Sequence, residues 1–490
     1  MRIFTLVLAV LSVAVLSANA QVRAQPARVA DDPGVQSNLR LLEAWIETQI
    51  AYRNLPGMAI GIVYDQELVW ARGFGYADVA SKTPATPATI YRIASNSKVF
   101  TSVAVMQLRD AGKLRLEDPV ADHLPWFRIR QRFPDARPIT IRHLLTHTSG
   151  LPREAAYPYW TDLKFPTLEE VRSALPEQET VFRPETRWKY SNLALSLAGA
   201  VVAEVSGEPY ADYMLRHIFE PLGMSSTSAV LPEAHHSRLA TGYGRRMPGG
   251  QREVMPFTDA RGITPAAGLS TTVEDAARFL SWQIRLRDKE GEEVLQSHTL
   301  REMHRVHWVH PSWQSGWGLG FEVVHREAGD LVGHGGWVAG YQTAIFLIPR
   351  EKVGVVAFIN ADDGDPYPGS PYSVVDKAFA WVAPAIAEAT APPPPEADPG
   401  WERYVGTYRE HWIDSAVLIH EGQLKLITPT ELDPTVSMMT LIPMGEHTFR
   451  LEGPEGQGYG EVGEPVVFTV DSSGKAVRYR MGARTAERVE

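Results

Sequence analysis

The chain has 490 residues, a formal net charge of −10 and no cysteine. That length exceeds one ordinary domain, and the lack of cysteine excludes disulfides, thiol chemistry and lipoprotein attachment. The charge is spread without a basic run, which argues against nucleic acid and anionic membranes as partners.

In chain order, Met1-Arg2 is a short basic start, Ile3 to Leu16 is apolar, and Ala18-Asn19-Ala20 is a small-residue cleavage signal. The apolar run is shorter than the ~20 residues a spanning helix needs. Residues 1–20 therefore read as a signal peptide cleaved after Ala20, and the mature protein as secreted or periplasmic, with no later membrane span. Residues 21–36 are polar and predict a loose, flexible segment. Leu39, Leu42, Ile46 and Ile50 then mark one face of a helix that ends at Tyr52-Arg53-Asn54. Met58 to Tyr64 and Leu68 to Gly75 read as a hairpin turning at Asp65-Gln66.

Ser95-Asn96-Ser97-Lys98 opens the apolar run Val99 to Leu108, which Gly112 closes as a left-handed cap. Residues three apart share a helix face, so Lys98 sits one turn from Ser95. A serine hydroxyl needs a base to become a nucleophile, and a lysine serves only if burial lowers its pKa. The helix has almost no polar face, which predicts that burial. Ser472-Ser473-Gly474-Lys475 matches the same pattern, but in a polar turn between strands, where a lysine stays solvated.

Helices from about Thr140 to Leu222 predict a helical lobe. Within it, Tyr190-Ser191-Asn192 precedes the apolar helix Leu193 to Val205, closed by Gly207. A phenol beside a lysine can relay a proton, and the Asn192 carboxamide can orient a substrate amide and hold Lys98. His304, His307 and His310 are evenly spaced, but no carboxylate accompanies them, so no metal site is expected, and no cofactor motif is present. Tyr157, Tyr159, Trp160, Trp308, Trp313 and Trp317 are candidates to line an apolar acyl pocket, or simply to pack long loops.

His334-Gly335-Gly336-Trp337 lies on a strand, where the glycines let a substrate backbone approach the edge. A backbone N–H here, with that of Ser95, can form an oxyanion hole, a device worth ~100- to 1,000-fold in turnover. Gly340 to Leu347 and Val353 to Asn360 form a second hairpin turning at residues 349–352. The two hairpins come from opposite ends of the domain, so one antiparallel sheet must be assembled across the sequence. Ser373 to Ala383 reads as a final helix stopped before Pro384. Residues 389–399, with four consecutive prolines, form a stiff linker. Residues 400–490 alternate in short runs with frequent glycine turns, which predicts a small all-β, barrel-like domain.

These three motifs in this order resemble the serine β-lactamase and penicillin-binding-protein superfamily, in its class C β-lactamase-like branch of esterases and D-aminopeptidases. Thr140-Ile141-Arg142-His143-Leu144-Leu145-Thr146-His147-Thr148-Ser149-Gly150-Leu151-Pro152 is similar to that branch's signature, as are Glu220-Pro221-Leu222-Gly223-Met224 and Pro265-Ala266-Ala267-Gly268-Leu269-Ser270-Thr271-Thr272. The resemblance runs from about Leu39 to Ala383 and implies an α/β (α+β) hydrolase domain over residues 37–388. That domain has an antiparallel sheet flanked by helices and a helical lobe, with the catalytic groove between sheet and lobe. Tyr404-Val405-Gly406-Thr407-Tyr408 resembles the start of the lipocalin-like barrels appended to some family members, and that domain is a candidate homo-oligomer contact.

The resemblance implies a Ser95 acyl-enzyme in which Lys98 and Tyr190 move the proton, with Tyr190 the base in deacylation. N–H groups of Ser95 and Trp337 hold the oxyanion, while Asn192, His334, Gly335 and Gly336 orient the substrate. Two positions depart from the family pattern. His334 stands where class C β-lactamases carry a lysine, which lowers the expectation for β-lactams because a histidine is mostly neutral near pH 7. Arg183-Pro184-Glu185 stands where relatives show Pro-Gly, so the turn there is expected to differ. A short-chain ester or a peptide, including one that contains D-residues, is the expected substrate. The alternatives are a β-lactamase, or a penicillin-binding sensor or scaffold that acylates without turnover.

Overall fold

The structure is a computed structural model that describes residues 28–326, 329–364, 367–393, 395–454 and 460–489. The signal-peptide reading of residues 1–20 lies outside the described residues. The chain divides into two compact units between Thr390 and Ala391.

The first unit is built on a nine-stranded antiparallel sheet. Its order is Thr83–Pro84, Glu67–Asp78, Gly57–Tyr64, Val353–Ile359, Tyr341–Ile348, Leu331–Val338, Glu322–Val324, Ser315–Trp317 and Trp308–Val309. The two predicted hairpins meet where Gly57–Tyr64 pairs with Val353–Ile359, Ile60 opposite Ala357. Side chains alternate between two cores. Ile60, Ile62, Val355 and Phe346 face one, whereas Ala59, Val63, Val356 and Leu347 face the other. Both faces are covered, which is why these strands read as continuous apolar runs in the sequence.

The helices Pro33–Arg53 and Pro371–Thr390 pack together over the first face. Two expectations need correction here. The segment 21–36 is helical from Pro33, because the Asp32 carboxylate accepts from the N–H groups of Gly34 (2.7 Å) and Val35 (3.1 Å), and Val35 is buried. The last helix does not stop before Pro384 but runs through it to Thr390. The carbonyl that Pro384 cannot bond belongs to exposed Ala380, and Ala385 and Ile386 continue the buried stripe beyond it.

On the other face lie the helix Ser97–Asp110 and the lobe with Ile141–Leu145, Leu168–Ala174 and Asn192–Ser206. Every residue of Ser97–Asp110 is buried except Gln107, Arg109 and Asp110, as its apolar run predicts.

The second unit is a closed eight-stranded barrel spanning Gly406 to Arg488. Tyr404, Tyr408, Phe449, Phe468 and Tyr479 fill its interior, and the Tyr408 hydroxyl donates to the Tyr404 carbonyl at 2.7 Å. Ser473 sits in the turn before the strand Ala476–Met481, tied to Asp471 at 2.6 Å, and His420-Glu421-Gly422 occupies another hairpin tip. Among the described residues no helix is long and apolar enough to cross a membrane.

Asp32→Ala removes the cap that starts the first helix. It is expected to cost about 1 kcal/mol of stability, read as a lower midpoint in chemical denaturation with an unchanged slope.

Candidate active site

Ser95 lies in the 3₁₀ turn Ala94–Asn96 that feeds the helix Ser97–Asp110. Ala94 holds a left-handed φ of 48° while fully buried, a conformation that costs energy for a residue with a Cβ. Its surroundings enforce the turn. The Ser97 hydroxyl donates to the Ala94 carbonyl (2.6 Å), and Asn96 Nδ2 donates to Thr343 Oγ1 (3.0 Å) on the sheet. A Cβ at Gly336 would lie 2.3 Å from the Ile93 carbonyl and 2.4 Å from Thr343 Oγ1. One at Gly335 would lie 1.9 Å from the Tyr372 hydroxyl. These glycines are thus required by the protein's own packing, which the expectation of substrate approach alone did not include.

Lys98 is completely buried, and its Nζ has three partners: Ser95 Oγ at 3.0 Å, Asn192 Oδ1 at 2.7 Å and the Ala266 carbonyl at 2.8 Å. Burial drives its pKa well below the usual lysine value, Glu154 opposes that shift, and Arg153 adds to it. A neutral amine has two N–H donors and one lone pair. The two carbonyl oxygens can take both donors, which leaves the lone pair for the Ser95 hydroxyl.

Tyr190 lines the same cavity as Ser95 and interacts with it, and burial raises its pKa, favouring the neutral phenol. Its ring centroid is 4.8 Å from Lys98 Nζ and 5.0 Å from the Arg153 guanidinium carbon. Asn192 begins the helix Asn192–Ser206, capped by the Ser191 hydroxyl. Its amide orientation is set by a residue without a role in the sequence reading. Asn192 Nδ2 donates to both Glu154 oxygens (2.8 and 3.1 Å), so Oδ1 faces Lys98. The Tyr159 hydroxyl also donates to Glu154. The only sequence clue to Glu154 was its place two residues after the Leu151-Pro152 end of the signature.

His334 sits on Leu331–Val338, with its Nδ1 against the Gly335 carbonyl. Because a carbonyl only accepts, the proton is on Nδ1, and Nε2 presents a lone pair. Burial is the main cause that lowers its pKa to about 3, so the ring is neutral at working pH. The Trp337 indole is more than half exposed and donates to Asp362 Oδ1 at 2.6 Å.

With Lys98 buried 3.0 Å from Ser95 Oγ, the structure thus brings Ser95, Tyr190, Asn192 and residues 334–337 to the lining of a cavity of about 680 Å³. Of the six aromatic candidates, Trp160 and Trp317 line it; Trp188 and Tyr372 also do, and Glu322 and Arg153 add charge. Trp313 is instead 79% exposed. Glu185, where the sequence departs from Pro-Gly, adopts a left-handed φ (61°) that suits glycine, and its carboxylate lies 3.1 Å from His143 Nε2.

Glu154→Gln keeps the hydrogen-bond acceptor but removes the charge that raises the Lys98 pKa. The Lys98 pKa falls, more neutral amine is present at low pH, and the acid limb of Ser95 labelling by a fluorophosphonate shifts to lower pH. Gly336→Ala drives a methyl group into the Ile93 carbonyl and is expected to slow that labelling at least ~10-fold by displacing the Ser95 turn.

Comparison with known proteins agrees with the fold. The beta-lactamase family model matches residues 42–378. "Protein flp" of Staphylococcus aureus strain MW2 is 30% identical over 324 residues, which is 65% of this chain and 62% of that protein. This chain thus spans less than two thirds of that relative's length. "Beta-lactamase-like protein 2" of Dictyostelium discoideum is 26% identical over 333 residues, 66% of this chain and 60% of its own. Among solved structures, the octameric penicillin-binding protein homologue from Pyrococcus abyssi superposes with a TM-score of 0.63 at 27% identity, covering 91% of this chain and 99% of that one. With the family model spanning well over half of its length, the chain belongs to the beta-lactamase family.

Proposed function

We propose that this protein is an exported serine hydrolase that cleaves a carboxylic ester or peptide through an acyl-enzyme on Ser95. The observation that carries the proposal is the buried Lys98 amine 3.0 Å from Ser95 Oγ, its other contacts being two carbonyl oxygens. Neutral Lys98 takes the Ser95 proton as Oγ attacks the substrate carbonyl. N–H groups of Ser95 and Trp337 receive the charge that develops on the carbonyl oxygen. Tyr190, neutral and beside Ser95, gives its proton to the leaving group and is reprotonated by Lys98, which returns to the free amine. Water then attacks the acyl group, with Lys98 and Tyr190 again carrying the proton. Asn192 holds Lys98, and His334 Nε2 offers an acceptor to a substrate N–H or hydroxyl.

The charge pattern favours an ester or peptide over a β-lactam. A β-lactam carboxylate needs a cation, but His334 is neutral and Arg153 is paired with Glu154 at 3.1 Å. The indoles of Trp160, Trp188 and Trp317 suit an apolar acyl group. Self-assembly belongs to the same proposal, since the similar Pyrococcus abyssi protein is octameric. Trp412 and Leu432 are exposed on alternate loops of the barrel and so share one end of it.

The test is product release and intact mass with a nitrophenyl ester, a D-alanyl peptide and a cephalosporin. Multiple turnovers with the ester or the peptide are expected, abolished in Ser95→Ala and unchanged in Ser472→Ala. Turnover of the cephalosporin alone overturns the substrate assignment. A lasting adduct without release overturns the hydrolase in favour of an acylating sensor.

A further inference from the structure

His147 is a buried histidine that the mechanism above does not use. It holds a left-handed φ of 58° in the loop after the helix Ile141–Leu145, and it does not line the cavity. Its backbone carbonyl accepts from the Lys189 N–H at 2.8 Å. Its Nδ1 accepts from the Ser191 N–H at 3.2 Å. The N–H groups of the residues immediately before and after Tyr190 are therefore both bound to one residue. The imidazole also packs on the Tyr190 ring, with centroids 4.4 Å apart and planes 37° from each other. Nε2 has no hydrogen-bonding partner among the described residues, and the indoles of Trp317 (4.8 Å) and Trp188 (5.9 Å) pack against the ring.

We propose that His147 is the positioning residue for Tyr190. It grips the backbone on both sides of the tyrosine and supports its ring, so that the phenol stays on Ser95. This inference rests on the reading of Ser95 as nucleophile. The chemistry selects histidine over other residues. The role needs an acceptor two bonds beyond Cβ, a flat face for the phenol, and a side chain without charge beside Lys98. Burial, with the Arg153 guanidinium adding to it, favours the neutral imidazole and leaves Nδ1 free to accept. The same grip continues on the C-terminal side, where the N–H groups of Asn192 (2.7 Å) and Leu193 (3.3 Å) donate to the Arg153 carbonyl. The Ser191 hydroxyl donates to the Pro152 carbonyl at 2.7 Å. Residues 147–153 thus act as a template for residues 189–193, and the part that reaches Tyr190 is His147.

Two substitutions separate positioning from general stability. His147→Asn keeps an acceptor near Nδ1 and suits the left-handed backbone, whereas His147→Gly suits the backbone but removes both acceptor and ring. Ser95 labelling by a short-chain alkyl fluorophosphonate is followed by intact mass, and crystal structures of both variants locate Tyr190. In His147→Gly the maximal labelling rate is expected to fall ~10- to 100-fold with the half-saturating concentration unchanged, and the phenol is expected to leave Ser95. His147→Asn should recover most of the rate and keep the phenol in place. Wild-type rate in His147→Gly, a loss confined to half-saturation, or a displaced phenol in folded His147→Asn each overturns the proposal. If His147→Gly does not fold, His147→Asn alone decides it by the last criterion. Absence of labelling in the wild type would overturn the nucleophile instead, and the crystallographic position of Tyr190 would still decide the role of His147.

Discussion

A primary amine without access to water is the constraint on which the rest of this structure depends. Lys98 is fully buried and still has polar partners on three sides. Taking an ammonium ion out of water is costly, so the environment favours the free base. Nearby charges then adjust the balance, Glu154 towards the ammonium and Arg153 away from it. The same Glu154 orients Asn192, so one carboxylate sets both the geometry and the electrostatics of the amine.

Satisfying that amine requires three distant stretches of chain. Ser95 comes from the turn before the buried helix, Asn192 from the start of a lobe helix, and Ala266 from the segment before Ser270–Thr271. Strain accumulates where these stretches are shaped. Ala94, His147 and Glu185 all hold left-handed backbone without being glycine. Ala94 precedes the nucleophile, His147 adjoins Tyr190, and Glu185 shapes the loop leading to it. Such conformations persist only when surrounding contacts over-determine them. The contacts are present: Thr343 and Gly336 press on the Ser95 turn, and the carbonyl of Thr148 accepts from the Glu185 N–H at 2.9 Å.

The cavity follows from the same arrangement. Its floor is the Ser95 turn and the Leu331–Val338 strand, and the lobe supplies Tyr190, Asn192 and Trp188. Its electrostatic character comes from what burial does to each group. Burial lowers the pKa of His334 and of Lys98 and raises that of Tyr190, so each is pushed towards its uncharged form. Burial thus works against charge on these three groups where the substrate carbonyl would lie. That is a setting in which a developing oxyanion interacts strongly with a few N–H donors.

Much of this was legible before the fold. The apolar run after Lys98 predicted its burial, and the continuous apolar strands on both sides of the chain predicted one sheet built from its two ends. Ser-x-x-Lys at 472–475 could be set aside because its neighbours are polar. In each case the information is local: hydrophobic pattern, turn residues and the spacing of a motif determine which elements form and which copy is buried. What only the tertiary structure decided is pairing across distance. Pro384 lies within a helix because the buried stripe continues past it. Gly335 and Gly336 answer to Tyr372 and Ile93, residues far away in sequence. Glu154 and His147 act through Asn192 and Tyr190, about forty residues along the chain. A hydrogen bond depends on distance and direction in space. The sequence by itself determined the parts and their chemistry, and the packing decided which of them meet.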